Sequence, residues 1–367
     1  MERREFLKGS IRLSIGATSL AVASSATSTV APPEPGHRIL DLELFDAHRQ
    51  RPVPARLYLP LQASSVRSVP LVVFSHGLGG SRLGYSYLAR HWAQAGLASL
   101  HPQHVGSDSA VWRGNPLEVL QRLQLAAREA EALARVLDLR FAVNEVLASD
   151  QGRLIDASRM AVAGHSYGAN TAMLLAGARV NAGSAYAGEI ADRRILAAIL
   201  ISAPPLLGQG PAQQVLGGVN VPTLHITSLE DTINLPGYRS TVEDRIAIYE
   251  GMTGSPKTLA VYNTGGHSIF TDRTTRSGPE ASARVKAATK ELCTLFLRHL
   301  FQPGGEPRDA LRPAFHTAAD SVPVEPPTAL EGRRETREWL YRHRELLHRF
   351  VTPEHQWLPE GKVIDTR

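Results

Sequence analysis

The ten residues AVAGHSYGAN, at 161–170, pose the first chemical question in this chain. An apolar run, RMAVA, leads into Gly164-His165-Ser166-Tyr167-Gly168, and ANTAMLLAG follows with helical character. A Gly-x-Ser-x-Gly turn between a strand and a helix holds its serine in a strained conformation, and the small flanking residues let neighbouring backbone come close. The helix that follows directs its first N–H groups and its positive end toward charge developing on a substrate oxygen. Ser166 is therefore the candidate nucleophile of an acyl transfer. A serine hydroxyl is weak alone. The chain must also supply a base, an acid that orients the base, and donors for the oxyanion.

One oxyanion donor is expected from the backbone N–H of Tyr167, the residue after the nucleophile, and a second from a loop after an earlier strand. VPLVVFSHGLGGS offers that loop: His76-Gly77-Leu78-Gly79-Gly80 follows a buried strand, and its glycines let an N–H turn inward. Leu78 N–H is the expected donor, with Gly77 permitting the turn. His76 shapes this loop rather than moving protons. His165, inside the serine turn, points away from the nucleophile by strand-like alternation.

Among 14 histidines, His267 stands where a base is needed. It follows the strand KTLAVYN in VYNTGGHSIF, and Gly265-Gly266 frees the loop to project its ring. His225 lies inside an apolar strand and reads as a core residue. His101 and His104, in HPQHVGSD, lack a third ligand at metal-site spacing, so no metal is expected. The acid should leave the strand between the serine turn and the base. VPTLHITSLEDTINLPG places Glu230 and Asp231 at that exit. Neighbouring side chains diverge there, so one of the two reaches the imidazole, and the shorter has less rotamer freedom. Asp272, five residues past His267, reads as a cap for the segment after it.

The elements that must hold these residues alternate. HRILDLELFDAHRQRPVPARLYLP reads as an N-terminal hairpin. VPLVVFS, GLASLHP, RMAVAG, RILAAILIS, VPTLHITS and KTLAVYN are nearly continuous apolar runs, the pattern of strands buried on both faces. Helical spacing falls at 83–95, over the long stretch PLEVLQRLQLAAREAEALARVLDLRFAVNEVL, after the serine turn, near 239–250 and at 280–300. The alternation predicts an α/β fold with a mostly parallel sheet covered by helices on both faces.

With 367 residues, 43% hydrophobic and 20% charged, the chain has the balance of a globular domain large enough for a sizeable core. Part of the net charge of +5 sits in Arg3, Arg4, Lys8 and Arg12. Without a Lys/Arg run interleaved with aromatics, nucleic acid is not an expected partner. MERREFLKGS followed by a weakly apolar, small-residue stretch reads as a twin-arginine export signal, too short and polar for a membrane span. APPEPG at 31–36 is a linker, so residues 1–35 stand apart from the fold, and a periplasmic or secreted location is expected. Cys293, the only cysteine, excludes an internal disulfide and reads as a buried thiol. After Gln302 the chain is proline-rich, so 303–367 is expected to be an extension with one amphipathic helix, RRETREWLYRHRELLHRFV, packed as an arm on the body.

SHGLGGSRLGYSYLARHWAQAGLASLHPQHVGSD, SRMAVAGHSYGANTAMLLAG and GGHSIFTD resemble the serine α/β-hydrolases grouped as predicted dienelactone hydrolases. These are relatives of chlorophyllases, platelet-activating-factor acetylhydrolases and cutinase-like polyester hydrolases. The resemblance spans roughly residues 38 to 300, a catalytic domain of 36–302, and the residue order Ser166, Asp231, His267 is that of α/β-hydrolases. It implies Ser166 as nucleophile, Asp231 as acid, His267 as base, and Leu78 and Tyr167 as oxyanion donors, with no cofactor. The implied activity is hydrolysis of a small carboxylic ester. The same residues would serve a peptidase or amidase, and a silent hydrolase fold used for binding is the remaining alternative. Two departures matter. True dienelactone hydrolases use a cysteine nucleophile, and Gln103 stands where the group has an aspartate. The loops at 102–118 and 179–194 are expected to border the pocket.

Overall fold

A computed structural model describes residues 36–180, 190–206, 212–235, 237–273, 275–301, 334–353, 355–357 and 363–365. Residues 1–35, read above as an export signal and linker, lie outside them. So do 181–189 in the second pocket loop and the proline-rich 302–333.

The apolar runs become one eleven-stranded sheet. Its strands are β1 (His37–Leu42), β2 (Ala55–Pro60), β3 (Val69–Ser75), β4 (Ala98–Pro102), β5 (Ile155–His165), β6 (Ile195–Ile201), β7 (Thr223–Ser228), β8 (Lys257–Tyr262), β9 (Leu347–Val351), β10 (His355–Trp357) and β11 (Val363–Asp365). They lie in the order β1-β2-β4-β3-β5-β6-β7-β8-β9-β10-β11. The N-terminal hairpin pairs antiparallel, His37 opposite Pro60 and Leu42 opposite Ala55. From β4 to β8 every pairing is parallel. Parallel neighbours need crossovers, and helices supply them. These are α1 (Ser86–Gln94), α2 (Pro116–Ala126), α3 (Glu129–Ala148), α4 (Tyr167–Leu175), α5 (Ala212–Leu216) and α6 (Val242–Gly251), while α7 (Gly278–Phe301) and α8 (Arg334–His343) come between β8 and its antiparallel neighbour β9 in the chain.

Alternation along the strands builds a core on each face. In β3, Val72 and Phe74 face α1, α7 and α8, packing with Trp92, Val285, Leu292 and Cys293. Leu71 and Val73 face the other way, toward α3 and α4, with Val136, Leu139 and Met173. The long helical stretch after Pro116 breaks into α2 and α3. Asn115 caps α2 by accepting from the N–H groups of Leu117 and Glu118, with Pro116 at the first helical position. None of the described helices is long and apolar enough to cross a membrane.

The expectation of a single helix over 333–351 is corrected. α8 ends at His343, the chain turns at Arg344–Leu346, and β9 pairs antiparallel with β8. Trp339, Leu340, Leu347, Phe350 and Val351 suit one helical face, but the last three also suit a strand. The free edge of β8 decides, because its unpaired backbone groups need partners. Trp339 is fully buried, donates its indole N–H to the Ala288 carbonyl at 3.1 Å, and packs on Phe350. The arm is thus part of the same sheet and core.

Candidate active site

Ser166 sits between β5 and α4 with φ 55° and ψ −124°, a left-handed conformation that non-glycine residues rarely adopt. The two glycines of the turn explain themselves by contact. A Cβ on Gly164 would lie 2.1 Å from the Gly168 carbonyl oxygen, and one on Gly168 would lie 1.9 Å from that of Ser75. Only glycine lets β5, α4 and the end of β3 approach this closely. The Ser166 N–H donates to the Ile201 carbonyl at the end of β6, at 2.9 Å, which pins the turn across the sheet.

Three sequence-predicted residues meet here. After β8, Gly265 turns with φ 108° and His267 opens a short 3₁₀ turn, His267–Phe270. Its Nε2 lies 2.8 Å from Ser166 Oγ, and its Nδ1 lies 2.7 Å from Asp231 Oδ1. Asp231 leaves β7 fully buried. Its Oδ2 accepts from Thr227 Oγ1 at 2.7 Å, and Arg245, from α6, reaches Oδ1 at 3.4 Å. Burial alone would push this carboxyl up. The hydrogen bond and charge of His267, with the Arg245 charge, outweigh it and hold the group below its ordinary value. Asp231 is therefore an anion facing Nδ1.

The neighbouring carboxylates do other things. Glu230 is exposed and accepts from the Gly265 N–H at 3.3 Å, steadying the loop that carries His267. Asp272, which the sequence suggested as a cap for the segment after it, has a partner distant in sequence. It accepts from the Ser86 N–H at 2.8 Å, at the start of α1. The free N–H groups of that helix are nearby in space though distant in sequence, and a carboxylate suits them.

The loop after β3 lies against Ser166, since a Cβ on Gly77 would come within 3.3 Å of Ser166 Cβ. Three of its N–H groups are taken. Gly77 donates to the Tyr85 hydroxyl at 3.3 Å, Gly79 to the Ser107 carbonyl at 2.9 Å, and Gly80 to the Gly77 carbonyl at 3.0 Å. The Leu78 N–H has no acceptor in the hydrogen bonds of the described residues. The Tyr167 N–H is one of those that the start of α4 leaves without an intrahelical acceptor. The segment 103–113 packs on the same loop. Trp112 Nε1 donates to the Gly79 carbonyl at 3.3 Å, and Arg273, from beyond His267, donates to that oxygen at 3.1 Å.

Sequence reasoning missed what lies beneath. Arg135 of α3 is fully buried and donates to Thr171 Oγ1, Ser107 Oγ and Ser75 Oγ at 2.8–3.0 Å, and to the His76 carbonyl. Ser75 Oγ lies 3.0 Å from His104 Nε2, and His104 Nδ1 lies 3.1 Å from Asp138. Arg49 and Arg51 close the network on Asp138 at 2.9 Å each. His76 donates from Nδ1 to the Gly77 carbonyl at 2.7 Å and accepts the His104 N–H at Nε2. The Gly77–Leu78 peptide is thereby fixed from its carbonyl side. The signal was present in α3, where Arg135 and Asp138 share the buried face with Leu139 and Ala142. Their partners come from other elements and have no local pattern. His101 bonds Ser99 instead of a partner histidine. Among the described residues no cluster of three or more His, Cys, Asp or Glu could hold a metal ion.

This arrangement carries a pH signature. Burial holds His101, His165 and His225 at about 3, and His76 and His104 well below 6.5. Each is neutral when folded and takes up a proton when unfolded. Their stabilisation is complete above pH 6.5 and is lost as pH falls from there toward 3. Each costs up to about 1.4 kcal/mol per pH unit in that window. We expect Tm, followed by calorimetry, to drop steeply on acidification below pH 6.5. A flat Tm across the window would contradict the buried neutral assignment.

A mostly parallel sheet in this strand order, with a serine turn after β5, carboxylate after β7 and histidine after β8, is the α/β-hydrolase fold. The family model for platelet-activating factor acetylhydrolase, isoform II, matches residues 49–115. No curated protein sequence matches. Among solved structures, a ferulic acid esterase from Streptomyces cinnamoneus aligns with a TM-score of 0.52 and 22% identity, over 78% of this chain and 96% of its own. A putative dienelactone hydrolase from Klebsiella pneumoniae subsp. pneumoniae aligns with a TM-score of 0.48 and 18% identity, over 70% of this chain and 98% of its own. The strand order and the ferulic acid esterase alignment show the α/β-hydrolase fold, and the likeness to the acetylhydrolase family is confined to residues 49–115, the stretch that holds the Leu78 loop.

Proposed function

We propose that this protein is a serine hydrolase that cleaves carboxylic esters through an acyl-enzyme. The observation that carries the reading is the unbroken series Asp231–His267–Ser166, at 2.7 and 2.8 Å, with the serine in a left-handed turn. Ser166 Oγ attacks the ester carbonyl while His267 Nε2 takes its proton. Asp231 keeps the remaining imidazole proton on Nδ1 and stabilises the imidazolium. The Leu78 and Tyr167 N–H groups receive the developing oxyanion. His267 then gives its proton to the leaving alkoxide, and water, activated by the same histidine, releases the acid. These steps draw only on the chain's own groups and water.

Ester chemistry, rather than the amide chemistry open to the same residues, rests on the acetylhydrolase likeness over 49–115. The same likeness, with the small residues of VNAGSAYAGEIADRR at 180–194, favours short acyl groups. The test is a series of p-nitrophenyl esters from acetyl to palmitoyl, run beside matched anilides. We expect kcat/KM to be highest at the short end and the anilides to be poor substrates. A rate that climbs steadily to palmitoyl would refute the short-acyl reading, and anilides matching the esters would refute the ester reading.

Export to the periplasm or beyond is proposed from Arg3-Arg4 and the small-residue stretch behind them. Replacing both arginines by lysine keeps the charge but removes the pair that the export receptor reads. In a bacterial host the variant should accumulate as a cytoplasmic precursor, and unchanged export would sink the proposal.

A further inference from the structure

The residue just before the nucleophile is buried, 3% exposed, with both ring nitrogens engaged. His165 Nε2 lies 3.0 Å from the backbone carbonyl oxygen of His267. A carbonyl only accepts, so Nε2 carries the hydrogen. Nδ1 is then a lone pair, and it receives the Tyr85 hydroxyl at 2.8 Å. The Tyr85 oxygen in turn accepts the Gly77 N–H at 3.3 Å. Every role is fixed by its partner, and the donors run one way: Gly77 N–H to Tyr85 O–H to His165 Nδ1, then His165 Nε2–H to the His267 carbonyl.

We infer that His165 is a positioning residue that, with Tyr85, ties the loop carrying the base His267 to the loop carrying the oxyanion donor Leu78. The inference rests on the proposed ester hydrolysis. Asp231 fixes how the His267 ring is turned. His165 fixes where its backbone stands, with the two imidazoles 4.8 Å apart between centroids. Tyr85 holds the other end from a left-handed backbone position, φ 60°, at the start of α1. An L residue keeps such a conformation where its surroundings demand it. Burial keeps the His165 ring neutral, as the chain of donors requires. Tyr85 and His165 are both buried, so their loss should disturb alignment rather than substrate binding.

The test uses the full chain and one activated short ester, with circular dichroism on each variant. Tyr85→Phe deletes the hydroxyl, which takes the donor from His165 Nδ1 and the acceptor from the Gly77 N–H and so cuts the chain between the two loops. We expect kcat to fall about ten- to hundredfold with KM within about threefold, the scale of a small misplacement of reacting groups. His165→Gln can put its amide N–H near the Nε2 position, so it should retain at least about ten times the kcat of His165→Leu. Adding Tyr85→Phe to His165→Leu should cost less than about threefold more, since both act through one chain. Histidine-selective ¹⁵N spectra of the unliganded protein should contain a neutral Nε2–H signal that disappears in His165→Gln and shifts in Tyr85→Phe. Wild-type kcat and an unmoved signal in Tyr85→Phe would overturn the inference, as would a loss confined to KM or losses that multiply. Should Ser166→Ala keep the activity, the proposed function itself fails, and the spectra still report the tautomer.

Discussion

Ser166→Ala leaves the chain folded and lowers ester hydrolysis by about a thousandfold or more. The substitution removes one oxygen and keeps the backbone strain already present, because alanine meets the same cost as serine at φ 55°. Ser166 Oγ has His267 Nε2 as its partner, so the loss falls on the chemical step. His267→Ala should cost about as much. The double variant should cost little more, since a nucleophile without its base and a base without its nucleophile are equally idle. The measurement is kcat/KM for three purified variants on one activated ester. If the two single losses multiplied, Ser166 and His267 would not act as one unit.

Asp231→Asn should lower kcat by up to about ten-thousandfold, the scale seen when a serine protease loses the corresponding charge. Both orientations of the new amide are harmful. With its NH₂ group toward His267, it donates to Nδ1 and moves the ring proton to Nε2, where the serine needs an acceptor. With its oxygen there it keeps the tautomer, but no negative charge faces the imidazolium. Thr227 and Arg245, both poised on the carboxylate, would then meet a neutral group. Glu230→Gln should cost less than about tenfold, because its contact is the Gly265 N–H and glutamine still offers an acceptor. Asp272→Asn should be similarly mild, since asparagine can still accept from the Ser86 N–H. If Glu230→Gln or Asp272→Asn proved the crippling change, the acid would be misassigned while Ser166 and His267 could still stand.

Much of this site could be read before the fold was seen, and the reason is local. The strands β3 to β8 are short apolar runs bounded by turn residues, and each candidate group stands in the first few residues after one of them. Gly164 and Gly168 announce close backbone contact by their spacing alone. The rest was hidden because it depends on distant partners. Arg135 meets Ser75 and His76 from 60 and 59 residues away. Asp272 reaches Ser86 across 186 residues. His165 reads as an inert neighbour of the serine until the His267 carbonyl stands beside it. The tail misled for a different reason: its apolar spacing suits both a helix and a strand, and only the open edge of β8 chooses between them.

The most direct measurement is covalent labelling of the full chain with a fluorophosphonate, followed by peptide mass spectrometry. This probe needs an activated serine hydroxyl and a place for the phosphoryl oxygen. A single adduct is expected on the peptide containing Ser166, absent in Ser166→Ala and formed far more slowly in His267→Ala and Asp231→Asn. An adduct on another residue, or a folded chain that takes none, would contradict the assignment of Ser166, His267 and Asp231 to one hydrolytic centre.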